Sequence, residues 1–332
     1  MILNEWLDSF VLRLQRGKQN RASRRRTTRN CHIRQTEQLE ARWVLSAPNP
    51  FDLSTLNGQN GFRLDGIDAV MQLACISNDA SFVLDEALST SVNLDAFAPM
   101  VVAAKEAGVK RFVYVSTSSV YGVSDEPDVT EDHPLVPVTL YNEFKGLCEP
   151  RLFRHTDGNF VGVAFRPATV CGYGPRQRLD VSVNILTNHA VNKGKITVFG
   201  GSQLRPNLHI QDYVDLCKLM LDAADEKIAG EVFNVGFQNM SIMEIAEVVK
   251  KVVQEEFPER GELEIITTPS DDIRSYHINS DKIRRILGFE PQHSIEEAVR
   301  DLCRAFRDGK LPDSFNDDSY YNVRTMQAIG AE

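Results

Sequence analysis

Arg111-Phe112-Val113-Tyr114-Val115-Ser116-Thr117-Ser118-Ser119-Val120-Tyr121-Gly122 is the stretch that decides the fold. Its first half is a short apolar run, the composition of a strand buried on both faces of a parallel sheet. Its second half is a run of hydroxyl residues closing on a glycine, which marks a strand end turning into a loop. Upstream, Ile67 to Ala74 reads as another buried strand, and a helix spans about Ser91 to Ala107 before Gly108, a good helix-ending residue. Downstream come a helix from about Leu140 to Arg154, a strand at Val161–Arg166, a strand near Ile196–Phe199, a helix from about Gln211 to Ala224 and a strand at Val232–Val235. A further helix, Ser241–Glu255, opens with Ser241 and Glu244 in capping-box spacing. This alternation predicts an α/β protein with a doubly wound parallel sheet.

About twenty residues after the hydroxyl run comes Tyr141-Asn142-Glu143-Phe144-Lys145. On a helix, Tyr141 and Lys145 stand at i and i+4 and share a face. Functional residues of parallel sheets gather at the carboxyl ends of strands, where the 116–119 hydroxyls belong. A tyrosine with an ordinary pKa of about 10 is a poor base at neutral pH, and a nearby cation favours its phenolate. With Thr117 holding a substrate oxygen, such a trio suits proton transfer at an alcohol or ketone. No side chain takes up hydride, so a nicotinamide cofactor is required.

The chain has 332 residues, 42% hydrophobic and 25% charged, an ordinary globular composition. Its net charge of −9 is uneven: residues 1–50 carry +6 and the remainder −15. Leu3, Trp6, Leu7, Phe10, Val11 and Leu14 lie on one helical face ahead of an Arg-rich stretch. Residues 1–50 are read as a basic, loosely attached extension, with a targeting segment as the other reading. The acidic body argues against nucleic-acid binding. No apolar run of about 18 residues stands out, so no membrane span is expected. Six scattered cysteines without a C-x-x-C pair suggest no metal site, reduced thiols and a cytoplasmic location.

From about Gly66 to Lys310 the chain resembles the extended short-chain dehydrogenase/reductase superfamily, in its NAD-dependent sugar-nucleotide epimerase/dehydratase branch. The resemblance rests on residues 116–122, Glu131-Asp132-His133-Pro134, Tyr141-x-x-x-Lys145, Arg166-Pro167-Ala168-x-Val170-x-Gly172-x-Gly174-Pro175, the run from Phe199-Gly200 to Asp212, Phe233-Asn234-Val235-Gly236 and Leu287-Gly288-Phe289-x-Pro291. It implies a Rossmann-like sheet, N-terminally incomplete, with a smaller C-terminal substrate-binding lobe. The expected division is a cofactor domain over 51–175, joined again by residues 206–245. The lobe would be 176–205 with 246–312, and 313–332 a tail. The resemblance also implies Thr117, Tyr141 and Lys145 as catalytic residues. It places Leu73, Ala74, Cys75, Asn93, Ser116, Tyr141, Lys145 and Pro167 at the cofactor, NAD with NADP as the alternative. Ser118, Asn184, Phe199, Arg205, Arg274 and Tyr276 would face a nucleoside-diphosphate sugar. A homodimer through the helices at 91–107 and 140–154 is a further expectation.

Dehydratases of this branch place acids in the two positions after the catalytic hydroxyl, where this chain has Ser118 and Ser119. That favours a 4-epimerase, with Tyr141 removing the 4-OH proton. A keto-sugar reductase and a cofactor-deficient, non-catalytic relative are the alternatives. The branch opens with Gly-x-x-Gly-x-x-Gly, whose glycines let the backbone approach the pyrophosphate. Gly17, Gly58, Gly61 and Gly66 do not reproduce it. The chain is therefore expected to purify without tightly held NAD. The familiar Arg-Pro-Gly-Asp segment is altered too: Asp272 matches, Pro269 stands at the Arg position, and Arg274 is its expected replacement.

Overall fold

The computed structural model describes residues 67–124, 126, 128–270 and 275–330. The basic extension, the four early glycines, Asp272 and Arg274 lie outside the described residues.

The strands are β1 (Ala69–Gln72), β2 (Arg111–Val115), β3 (Val161–Pro167), β4 (Thr169–Cys171), β5 (Lys195–Phe199), β6 (Leu204–His209), β7 (Val232–Val235), β8 (Gln238–Ser241) and β9 (Glu264–Thr268). The helices are α1 (Asp79–Phe82), α2 (Glu86–Thr90), α3 (Phe97–Glu106), α4 (Leu140–Phe153), α5 (Ser182–Lys193), α6 (Ile210–Asp222), α7 (Asp225–Ile228), α8 (Ile242–Glu256), α9 (Asp281–Leu287), α10 (Ile295–Arg307) and α11 (Asn322–Ala328). A π turn, Ser91–Asp95, joins α2 to α3.

The main sheet has the order β1-β2-β3-β7, and every pairing in it is parallel. Side chains alternate across it as the two-residue strand period requires. Phe112, Tyr114 and Ala164 pack on one face with Phe97 and Val101 of α3 and Cys148 and Leu152 of α4. Val113, Val115, Val163 and Phe165 pack on the other with Leu216 and Met220 of α6. Helices on both faces make the sheet doubly wound and explain the apolar runs Phe112–Val115 of β2 and Val161–Phe165 of β3.

A second core joins α5, α8 and α10 around Ile196 and Val198 of β5, which pairs in parallel with β9. A small sheet of order β4-β6-β8 adds a parallel and an antiparallel pairing. The packing departs from part of the division expected from sequence. Residues 278–289, assigned there to the lobe, put Ile278, Ile283 and Phe289 into the main-sheet core. Residues after 312 are docked, with Tyr320 O accepting from Leu179 N at 2.9 Å and the Ser314 hydroxyl donating to Asn188 Oδ1 at 2.7 Å.

The continuous helical run Glu86–Glu106 is long and apolar enough to cross a membrane by length and composition, a stretch the sequence alone did not bring out. Its Phe97 and Val101 instead face the sheet, against Phe112 and Tyr114. Gly108 closes the run at φ +81°, with Val109 N bonded back to Ala104 O at 3.1 Å. The capping box at the start of α8 forms as its spacing predicts, Ser241 and Glu244 each bonding the other's backbone N–H. Cys75, Cys148, Cys171, Cys217 and Cys303 are free thiols.

Candidate active site

Ser116 continues β2 by bonding Phe165 O through its N–H at 2.9 Å. Thr117, extended at φ −156°, then caps a short 3-10 turn over Ser118–Tyr121. The turn ends at Gly122, where φ is +69° and an added Cβ would sit 1.9 Å from Val136 O. Only glycine fits there, so the chain can fold back immediately after the hydroxyl run. Ser119 N donates to Thr117 Oγ1 at 3.3 Å, and the two hydroxyls are 2.8 Å apart. Ser119 Oγ donates to Asn142 Oδ1 at 2.5 Å, which ties the strand-end turn to the helix carrying Tyr141.

That helix, α4, is capped by Thr139, whose Oγ1 accepts from Asn142 N at 3.4 Å and donates to Asp79 Oδ1 at 2.5 Å. The loop after β1 is thereby fastened to the same helix. Phe82 packs on Tyr141, ring centroids 6.4 Å apart, and on Phe144 at 5.4 Å. Lys145 is buried, donates from Nζ to Val115 O at 2.7 Å and lies 5.2 Å from the Tyr114 ring centre.

Tyr141 keeps some exposure, but burial pushes its phenol well above the ordinary tyrosine value. Cys75, Asp79 and Tyr276 act in the same direction, and the leading charge opposing them is Arg178. The sequence reading gave that role to Lys145. The structure turns the Lys145 ammonium toward the Val115 carbonyl of β2, and the leading charge favouring the phenolate is Arg178, on the loop after β4.

Among the expected cofactor residues, Leu73 (49% exposed) and Ala74 are open at the carboxyl end of β1, and Cys75 follows them. Pro167 ends β3 beside Val235. Ser116 Oγ is buried and without a hydrogen-bond partner. A buried orphan hydroxyl at the end of a parallel strand fits a polar ligand arriving there. Asn93 is buried, and its amide accepts from Ile76 N and donates to Ile76 O, both at 2.9 Å. It holds the loop that presents Leu73 to Cys75.

The expected sugar-nucleotide residues divide in the same way. Arg205 lies over the Tyr276 ring, 5.3 Å from its centre. Phe199, at the end of β5, is 57% exposed. Ser118 is buried. Asn184 is buried too, and its amide is spent on the loop after β4. It accepts from Gly172 N at 3.0 Å and donates to Arg178 O at 2.8 Å. Gln177 braces the same loop through Gly174 N and Gly172 O. These two amides set the path of the segment that delivers Arg178.

Sequence reading missed Arg178, Asp79, Ser119 and Asn142. The signal for Arg178 was Pro175-Arg176-Gln177-Arg178, two cations directly after the Gly172-x-Gly174 turn. Conversely, several motif residues serve the core. Arg166 makes a bidentate pair with Glu149 (2.9 and 2.6 Å) and donates to the Tyr121 hydroxyl at 2.6 Å. Tyr121 donates to Asn234 Oδ1 at 2.7 Å, and Asn234 N donates to Glu131 Oε1 at 2.7 Å. This buried network ties β3, β7 and the loop after Gly122 together beneath the site.

A family model, the NAD dependent epimerase/dehydratase family, matches residues 13–236. That span includes residues 13–66, most of which the sequence reading had set apart as unrelated. dTDP-glucose 4,6-dehydratase of Streptomyces griseus is 26% identical over 270 residues, covering 76% of this chain and 80% of that protein. UDP-glucose 4-epimerase of Lactobacillus helveticus is 27% identical over 253 residues, covering 70% and 74%. The solved structure of MoeE5 in complex with UDP-glucuronic acid and NAD is 26% identical and superposes with a TM-score of 0.65, over 78% of this chain and 85% of that one.

Proposed function

We propose, since the chain belongs to the NAD dependent epimerase/dehydratase family, that it is a 4-epimerase of a nucleoside-diphosphate sugar. The observation that carries this reading is the pair of positions after Thr117. They hold Ser118, buried, and Ser119, bonded to Asn142, so no acid stands there to expel water from the sugar.

In this reading Thr117 meets the 4-oxygen of the sugar and Tyr141 exchanges the proton there. Burial holds the resting phenol protonated, and the charge of Arg178 favours the phenolate. Leu73, Ala74, Cys75, Ser116, Tyr141, Lys145 and Pro167 would hold the cofactor, with Asn93 supporting the first three through Ile76. NAD supplies the reversible hydride acceptor that no side chain offers. Arg205, Tyr276 and Phe199 would hold the nucleotide half of the substrate, a role that suits the fork of donors on Arg205. The homodimer belongs to the same proposal, and Leu140 and Leu147 of α4 leave apolar surface exposed for it.

The test is incubation of the full chain with NAD and UDP- or dTDP-hexoses, followed by NMR of the sugar. Inversion at C4 without net formation of reduced nicotinamide is the expected result, and Tyr141→Phe should abolish it. Stoichiometric consumption of added NADH on a 4-keto sugar would instead identify a reductase. Loss of one water from the sugar would identify a dehydratase, the activity named for the Streptomyces griseus relative. Binding of both ligands with the sugar recovered unchanged would leave a non-catalytic binder.

A further inference from the structure

The hydroxyls beside Tyr141 have a direction that the residue types impose. Asn142 Oδ1 is an amide oxygen, which accepts hydrogen bonds and has no proton to give. The Ser119 hydroxyl, 2.5 Å away, must therefore point its only proton at Asn142. Thr117 Oγ1 lies 2.8 Å from Ser119 Oγ, whose proton is already committed, so Thr117 is the donor in that contact. Thr117 Oγ1 also accepts from Ser119 N at 3.3 Å. Its proton is thus used, and what remains toward an incoming ligand is a lone pair. The chain runs in one direction, from Thr117 to Ser119 to Asn142. Asn142 itself is buried and fixed at the start of α4 by the Thr139 cap.

We propose that Ser119 and Asn142 are positioning residues that make the Thr117 hydroxyl an acceptor toward the sugar, so that the site favours a hydroxyl over a carbonyl at the reacting carbon. This deepens the epimerase reading and rests on it. A 4-OH donates to the Thr117 lone pair. A 4-keto oxygen meets that lone pair with no donor from Thr117, and the mismatch disfavours the ketone. An epimerase gains from this bias, because an oxidised sugar that meets a donor only from Tyr141, and none from Thr117, is returned to the alcohol rather than kept or released.

The test is isothermal titration of the full chain, with no NAD added, with a 4-hydroxy sugar nucleotide and its 4-keto counterpart. The quantity read is the ratio of the two dissociation constants. The unaltered protein should bind the hydroxy form more tightly. Ser119→Ala removes the acceptor of the Thr117 proton, and Asn142→Ala releases the Ser119 proton. Either change lets Thr117 donate to the ketone, and each should reduce the ratio by about tenfold, the worth of one hydrogen bond. Asn142→Asp, which retains an acceptor, should preserve the ratio. A merely structural role for the pair would weaken both ligands alike. A ratio unchanged within about twofold in both alanine variants overturns the proposal. So does Asn142→Asp behaving like Asn142→Ala, because the chain would then run the other way. If the folded protein binds neither nucleotide, the sugar-nucleotide reading itself falls, and the proposal with it. The two alanine variants act on different residues, so failure of one to fold leaves the other to decide.

Discussion

Asp180 accepts from the Arg178 guanidinium, Nε to Oδ1, at 2.8 Å, and with its second oxygen accepts from the Asn322 backbone N–H at 2.9 Å. One carboxylate therefore joins the cation acting on Tyr141 to the N-terminus of α11. Asn322 Nδ2 continues the connection to Ser77 Oγ at 2.8 Å, in the loop after β1. The C-terminal residues take part in building the rim of the site.

Asp180→Ala should therefore loosen both partners. It removes a partly buried, charge-assisted pair and strands the Asn322 N–H, a combined cost of about 2–3 kcal/mol. Denaturant unfolding should show that loss. Limited proteolysis should show earlier cleavage within residues 313–330 than in the unaltered protein.

Glu149→Ala should cost more. Its partner Arg166 has a side chain only 6% exposed, and losing the bidentate carboxylate leaves a buried charge uncompensated. Removing one member of such a pair typically costs about 3–5 kcal/mol. By contrast Arg300→Ala, which loses pairs with Glu255 and Glu256 near the surface, should cost about 1 kcal/mol or less. Equilibrium unfolding of the two variants side by side checks the contrast.

Gly122→Ala should fold poorly. The added Cβ collides with the Val136 carbonyl, and φ at +69° strains any L residue. The combined cost should exceed about 2 kcal/mol, read as a lower unfolding midpoint or a loss of soluble protein. Gly108→Ala shares the positive φ at +81° but meets nothing within 4 Å, so it should cost only the conformational part, about 1–2 kcal/mol.

The pH dependence should carry two opposed histidine signatures. His293 donates from Nδ1 to Asp212 at 2.8 Å, and this bond, with Glu297 and Asp215 nearby, raises its pKa. Its stabilising contribution is complete below the unfolded value of about 6.5 and is lost as pH rises through the folded one. His209, stacked on His293 at 4.9 Å, is lowered by burial, partly offset by Asp301. Its contribution is lost as pH falls through that lowered value. Melting temperatures recorded across that range should lose their alkaline decline in His293→Gln. Asp212→Asn should lose the same decline and weaken the bond that Asp212 Oδ2 accepts from His293 N.

Much of the main sheet was legible because it is written in local periods. Strands β2, β3 and β7, helix α4 and the capping box of α8 came from apolar alternation, helical spacing and capping chemistry, each confined to a few residues. Helices α5 and α10 and strands β4, β6, β8 and β9 were not. Helix α5 begins Ser182-Val183-Asn184, and β6 contains Pro206 and Asn207, so their intrinsic preferences say little. Packing decides them: Val183 and Leu186 of α5 meet Val249 and Val252 of α8 in the second core.

The sequence by itself determined the alternating architecture and brought Thr117, Tyr141 and Lys145 into view, because the strand end and the i, i+4 pair are local facts. Only the tertiary structure decided what the remaining polar residues do. Tyr121 meets Asn234, Asn93 holds Ile76, and Arg178 rather than Lys145 leads the opposition to the raised pKa of Tyr141. Those partners are separated along the chain, and no spacing rule links them. A hydrogen bond or a charge effect depends on distance in space, and that distance exists only once the sheet and its loops have closed.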